Sequence, residues 1–285
     1  GLTEVTIGNS VTSINDYAFC NCSELLEVTI GNSVTEIGEN AFYKCSRLTE
    51  VTIPSSVTSI GYDAFEYCSG LTEVHISSLE AWCNIDFNFF YSNPLFYATN
   101  LYLNGELVTD LVIPETVTSI KKNAFYRWQG LTSVTIPNSV TSIGNDVFYG
   151  CSRLTEVHIS SLEAWCNIDF FGDFSSNPLH KAHNLYLNGE LVTDLVIPET
   201  VTSIKKNAFY GCSGLAEVTI PNSVTEIGEN AFYSCTGLTK VKSLNPVPPV
   251  AGSAFDTSTQ DNAQLFIPNG SLDAYKSADG WRDFK

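Results

Sequence analysis

Apolar residues recur along this chain in the order Leu-x-x-Val-x-Ile, with polar residues between them. The pattern starts at Leu2, Leu25, Leu48, Leu71, Val108, Leu131, Leu154, Val192, Leu215 and Leu238, and seven of the nine steps are 23 residues. The other two, from Leu71 to Val108 and from Leu154 to Val192, are 37 and 38 residues. Strict alternation predicts a short strand with one buried face, because successive side chains of a strand point to opposite sides. The unit from Leu48 to Gly70, LTEVTIPSSVTSIGYDAFEYCSG, shows the rest of the plan. Leu48, Val51 and Ile53 point inward, and Pro54, with no amide hydrogen to donate, ends the ladder. Val57 and Ile60 begin a second wall, and Ala64 with Phe65 fills the turn between walls. The phenylalanine recurs at Phe19, Phe42, Phe125, Phe148, Phe209 and Phe232, so a stacked aromatic spine is expected.

A fixed period of roughly 20–29 residues with this spacing is the sign of a leucine-rich-repeat solenoid, in which each repeat buries its faces only against its neighbours. The expected fold is β-rich, an α/β-type horseshoe with a parallel sheet on its concave face, short strands and turns on its convex face, and a C-terminal helical cap. The expected organisation is a single solenoid domain over residues 1–285. Nine repeats fill 1–237, two of them enlarged at 71–107 and 154–191, and a last repeat with the cap fills 238–285.

The enlarged repeats belong to a longer duplication, whose core, NLYLNGELVTDLVIPETVTSIKKNAFY, occurs without a difference at Asn100–Tyr126 and Asn184–Tyr210. A reaction centre is normally built once from residues of different roles, so verbatim repetition points to a surface or a scaffold. Within the first insert, SSLEAWCNIDF places Ser77 and Glu80 at capping-box spacing before a short helix. Asn104-Gly105, between Leu101-Tyr102-Leu103 and Glu106-Leu107-Val108, is a two-residue hairpin signal. The insert is either a protruding knob or a longer repeat whose Trp82, or Trp165 in the second copy, plugs the core.

These repeat units resemble the BspA-like leucine-rich repeats of bacterial and protozoan surface proteins, and the resemblance covers nearly the whole chain. It implies an extracellular or cell-surface protein, often anchored to the envelope. Some members are linked to host matrix proteins such as fibronectin and fibrinogen, which implies adhesion. It brings no catalytic residues.

Charge changes the picture most. With 14 Lys and Arg against 31 Asp and Glu, the formal net charge is −17, which disfavours nucleic acid and anionic membranes as partners. The acid is also arranged. One outward strand column reads Glu4, Glu27, Glu50, Glu73, Asp110, Ser133, Glu156, Asp194, Glu217 and Lys240. His75 and His158 face outward beside it, where other repeats carry threonine. This acidic ribbon, with both histidines, is the candidate binding site; the competing reading is a solvated ladder that blocks sheet aggregation.

The other chemistry is thin. Six of nine cysteines lie three residues after a spine phenylalanine, with Trp128 as the exception in that column, so register explains them as free buried thiols. His180 and His183 have an H-x-x-H spacing, but the sister copy has Phe96 and Thr99 there, so no metal site and no cofactor are expected. No nucleophile, phosphate-loop or zinc-protease motif appears, and enzymatic activity is not expected. No apolar run approaches the ~18 residues of a membrane helix. The segment from Ser271 to Phe284 reads as a short amphipathic capping helix, after a proline-rich stretch that breaks the repeat register. The first repeat reads like a mid-array one, so further sequence is expected upstream. The reading is a monomeric, non-enzymatic surface module that binds a protein, with host extracellular-matrix proteins as the class the resemblance implies. A carbohydrate-binding face built on Tyr43, Tyr126, Tyr149, Tyr210 and Tyr233, or a passive spacer, are the alternatives.

Overall fold

Each Leu-x-x-Val-x-Ile segment forms a strand of three or four residues with its Val and Ile turned inward. The computed structural model describes residues 1–285 in two units: Gly1–Thr132 with Gly144–Arg153, and Ser133–Ile143 with Leu154–Lys285. In the first unit the strands Glu4–Thr6, Glu27–Thr29, Glu50–Ile53 and Glu73–Ile76 pair in parallel, with Val5 beside Val28, Val51 and Val74 in turn. A second parallel set, Ser13–Ile14, Glu36–Ile37, Ser59–Ile60 and Asp86–Phe87, forms the opposite wall. In the second unit Glu217–Ile220 pairs in parallel with Asp194–Val196 on one side and Lys240–Ser243 on the other. Both units are stretches of leucine-rich-repeat solenoid. Burying a Val or Ile side chain contributes about 1.5–3 kcal/mol, and the repeat does this at several positions in every turn.

Between the walls the chain turns through backbone that few side chains favour. The residue before the Ala-Phe pair is left-handed in these repeats, with φ of 59° at Tyr17, 53° at Asn40, 54° at Asp63 and 56° at Asn230; short polar side chains, present at all of these but Tyr17, tolerate this region best. At Gly61 neighbouring repeats approach so closely that a Cβ would lie 2.5 Å from the backbone nitrogen of Glu39. The spine forms as expected. Phe42 stacks between Phe19 at 5.4 Å and Phe65 at 5.3 Å, Phe125 meets Phe148 at 5.9 Å, and Phe209 meets Phe232 at 5.2 Å.

The cysteine column lies beside the spine. Cys45, Cys68, Cys151 and Cys235 each donate a thiol hydrogen to the carbonyl of the spine phenylalanine one repeat earlier, at 3.1–3.2 Å. Trp128 takes the same place with a larger side chain, its indole nitrogen donating to the Thr99 carbonyl at 2.9 Å. All nine cysteines are free, and only Cys20 and Cys22 are not buried. Burial pushes the Cys45, Cys83, Cys166 and Cys212 thiols up to about 12. Thiolate is the reactive form, so a thiol reagent should label the native protein at Cys20 and Cys22 alone and the denatured, unreduced protein at all nine cysteines. Disulfide-linked peptides in a non-reducing digest would contradict this.

The enlarged repeats differ from the sequence expectation. The strand Asn100–Leu103 joins the parallel ladder directly, with Leu101 beside Val74, and Glu106–Val108 then folds back antiparallel. The insert therefore adds a coil of the main sheet as well as a hairpin. Asn104 and Gly105 make the hairpin turn with φ of 52° and 84°, values that favour the Asn-Gly pair. The helix is Leu79–Cys83, and its N-cap is Ser78, not Ser77, with the Ser78 hydroxyl accepting from the Ala81 amide. Glu80 is not a capping partner; its carboxylate accepts from the Thr116 hydroxyl at 2.8 Å. Trp82 is 1% exposed and donates to the Ala124 carbonyl at 2.9 Å, so the insert plugs the core. The second copy repeats this with Ser161, Trp165 and Ala208.

The C-terminal segment keeps more of the repeat than its prolines suggest. Phe255 continues the spine against Phe232 at 5.3 Å, and Gln264–Phe266 extends the parallel sheet beside Lys240–Ser243. The expected cap helix is shorter, Leu272–Ser277, and a second helix, Thr257–Asn262, precedes it with Asp256 as N-cap. Tyr275 and Trp281 seal the last layer, donating to Asn245 and Pro249 carbonyls at 2.9 and 2.7 Å. Leu272 does not join them; it is exposed. No helix is long and apolar enough to cross a membrane.

Candidate functional site

The outward carboxylates occupy the first residue of each strand, where the alternation that buries Val and Ile turns the flanking side chains out. In the first unit Glu4 lies beside Glu27, Glu27 beside Glu50, and Glu50 beside Glu73. Parallel strands lie about 4.8 Å apart, so adjacent carboxylates repel by about 1 kcal/mol in water. Glu4, Glu27 and Glu50 are exposed and make no ion pair with a lysine or arginine.

The column is not continuous through the enlarged repeats. Asn100, not Asp110, lies beside Glu73, because the extra strand of the insert intervenes. Asp110 instead accepts from the Thr132 hydroxyl at 3.0 Å. In the second unit Glu156 is flanked by Ser133 and Asn184, while Asp194 and Glu217 are register partners. There the column ends in its own counter-charge. Lys240 lies beside Glu217 and pairs with it at 2.7 Å, and this hydrogen-bonded contact raises the lysine above its ordinary range. The densest unneutralised acid is therefore the run Glu4, Glu27, Glu50 and Glu73.

His75 and His158 hold equivalent positions, two residues further along the strands than Glu73 and Glu156 and on the same outward face. Each imidazole Nε2 is close to a carboxylate two residues back, 3.2 Å from Glu73 and 2.9 Å from Glu156. Each ring stacks on a tyrosine of the next strand, His75 on Tyr102 and His158 on Tyr186, both at 4.7 Å. Thus the structure brings Glu50, Glu73 and His75 together, a grouping that sequence spacing alone did not single out. The signal was present: residues two apart on one strand share a face, and Glu50 is the register neighbour of Glu73.

The other candidates fall elsewhere. His180 packs against Phe174 at 4.6 Å, and burial, with Lys181 and His183 nearby, lowers it to about 4. His183 hydrogen-bonds the Gly211 carbonyl at 2.9 Å through Nδ1. Of the tyrosines expected to face outward, Tyr126 stacks on Tyr149 at 5.1 Å and 17° and Tyr210 on Tyr233 at 5.4 Å and 8°, while Tyr43 meets Tyr67 edge-on at 5.5 Å. Tyr126 is buried rather than outward, whereas Tyr149 and Tyr233 are exposed and each stacks on one ring only.

Stacked short parallel strands, a phenylalanine spine and an outward polar face define a leucine-rich-repeat protein. The chain belongs to the family of the BspA type leucine rich repeat region, whose profile matches in six copies over residues 1–101, 96–176 and 182–275. No curated protein matches it. Among solved structures it is similar to a leucine rich cell surface protein from Faecalibacterium prausnitzii A2-165, with 24% identity, TM-score 0.45, and coverage of 100% of this chain and 72% of that one. A leucine-rich repeat protein from Bacteroides ovatus ATCC 8483 shares 22% identity, with TM-score 0.44 and coverage of 94% and 84%. The pneumococcal vaccine antigen PcpA shares 16%, with TM-score 0.43 and coverage of 98% and 66%. Repeats of this family are generally non-enzymatic and bind proteins.

Proposed function

We propose that this chain is a non-enzymatic binding module of an extracellular or cell-surface protein, and that its partner is a protein presenting a basic surface. The observation that carries this reading is the run Glu4, Glu27, Glu50 and Glu73, four carboxylates in successive register of which the first three have no cationic partner. Holding like charges side by side costs free energy in the isolated fold, and a cationic surface relieves that cost on binding. The sheet beneath the column already fixes the strand backbone, so contact has to order the exposed side chains alone. Host extracellular-matrix proteins with basic patches are the partner class to try first, which makes adhesion the proposed role.

The test is binding of the whole chain to immobilised matrix proteins and to basic and acidic reference proteins of matched size, at low and physiological ionic strength. Binding to basic partners that weakens steeply with salt is the expected result. Equal binding to acidic partners would overturn the reading. Specific sugars bound on a glycan array would support the tyrosine face instead, and silence in both assays would leave a spacer.

A further inference from the structure

The outward face of the first unit holds one place where carboxylates and an imidazole converge. Glu50 and Glu73 are register partners on adjacent parallel strands, and His75 lies two residues beyond Glu73 on the same face. One donor atom from each of the three lies within 4.8 Å of the other two. Tyr102 stacks on the His75 ring with only 8° between planes, which fixes how the imidazole is presented. We propose that Glu50, Glu73 and His75 form a binding site for a divalent first-row transition-metal ion, of the kind represented by Zn2+ and Co2+, with water completing its shell. This proposal does not rest on the protein-binding reading.

The donor chemistry selects this class of ion. Two carboxylates supply negative charge, and a neutral imidazole supplies a nitrogen lone pair, a set that suits borderline divalent ions. Ca2+ takes six or more oxygen ligands, and Mg2+ keeps most of its water, so neither gains from the imidazole. Metal–nitrogen and metal–oxygen bonds of about 2.0–2.2 Å put tetrahedral donors roughly 3.4 Å apart. Small rotations of the Glu50 and Glu73 side chains, both on the solvent side of the sheet, close the remaining distance. The ion would replace a repulsive carboxylate pair with two attractive contacts, and the histidine stacking on Tyr102 limits the ordering that binding requires.

The chain also contains its own control. In the second unit Glu156, His158 and Tyr186 repeat the arrangement, with His158 Nε2 at 2.9 Å from Glu156 and the rings stacked at 4.7 Å. The register neighbour of Glu156, however, is Ser133, where the first unit has Glu50. One carboxylate is missing, and the second position is a two-donor site.

The test uses the full chain and Co2+, followed by absorption and calorimetry, with Ca2+ as competitor. Co2+ reports its ligands: sulfur coordination gives an intense charge-transfer band that nitrogen and oxygen donors lack. The expected result is one tight ion per chain without that band, undisturbed by Ca2+. Glu50→Gln and His75→Gln should each weaken it by about tenfold or more, and Ser133→Glu should add a second site of similar affinity. All three positions are on the solvent side of the sheet, so each variant should keep the circular dichroism of the parent. A thiolate band would place the ion on cysteines and overturn the proposal. So would unchanged affinity in both loss variants, competition by Ca2+ at equal concentration, or a Ser133→Glu variant that still binds one ion.

Discussion

Phe42→Ala is expected to destabilise the protein by about 3–5 kcal/mol, the usual loss when a buried aromatic is truncated. Phe42 is fully buried and stacked on both faces, by Phe19 at 10° and Phe65 at 13° between ring planes. Its neighbours cannot move in to fill the space. The backbone at Phe42 is tied to the next repeat, its amide donating to the Ala64 carbonyl at 2.9 Å and its carbonyl accepting from the Cys68 thiol at 3.2 Å. A cavity fixed between two such layers keeps its full cost, because relaxation is what lowers it. Phe19→Ala should lose less, since Phe19 is half-buried and covered on one face by Phe42. Urea unfolding followed by circular dichroism gives both values. A loss below about 1 kcal/mol for Phe42→Ala would mean that the spine does not hold the repeats together.

The regular repeats were legible in the sequence because their physics is local and periodic. Leu48, Val51, Ile53, Val57, Ile60 and Phe65 are all buried, as alternation and the 23-residue step require. The enlarged repeats were legible only in part. The hairpin showed through Asn104-Gly105, but the strand Asn100–Leu103 is preceded by Ala98 where other repeats carry Leu, so its place in the parallel ladder was hidden. That hidden strand displaced Asp110 from Glu73 and broke the acidic column. The capping box failed for a related reason. Two serines, Ser77 and Ser78, stand at the helix start, and spacing to Glu80 favoured the first, while the tertiary contact from Thr116 takes Glu80 away. The Glu50, Glu73 and His75 cluster needs register between repeats, which pattern reading supplies only if columns are compared sideways as well as along each strand.

Asn100–Tyr126 and Asn184–Tyr210 match residue for residue, and their exposure matches too: Leu107 and Leu191 are 52% and 46% exposed, and Val112 and Val196 are both 61%. Packing alone tolerates conservative exchange at exposed positions, so the shared outward residues form the same surface in each unit. What differs is the acid at the edge of each surface. The first copy follows the run Glu27, Glu50 and Glu73, and the second follows Ser133 and Glu156. Electrostatics therefore distinguishes two surfaces that shape does not.

That difference sets the last expected result, for the double variant Glu27→Gln with Glu50→Gln. Both positions are exposed and neither carboxylate has a lysine or arginine partner, so the substitutions remove charge without removing a packed group. Two exposed charge pairs with a basic partner at about 0.2–1 kcal/mol each add to a loss of roughly 2- to 30-fold in affinity. The loss should be largest at low salt and shrink towards physiological ionic strength, where the screening length falls to about 8 Å. It should appear mainly as slower association, because a column of like charges steers encounter. The free protein should gain thermal stability, since two repulsive neighbours are gone. That gain alone says nothing about binding, because it follows from removing like charges on any ladder. Comparison with His75→Gln separates the two sites. His75→Gln should weaken Co2+ binding by about tenfold or more, whereas Glu27→Gln alone should weaken the protein partner and leave Co2+ in place. Unchanged protein affinity in the double variant would remove the carboxylate column from the binding surface and direct attention to the paired inserts at 77–107 and 160–191.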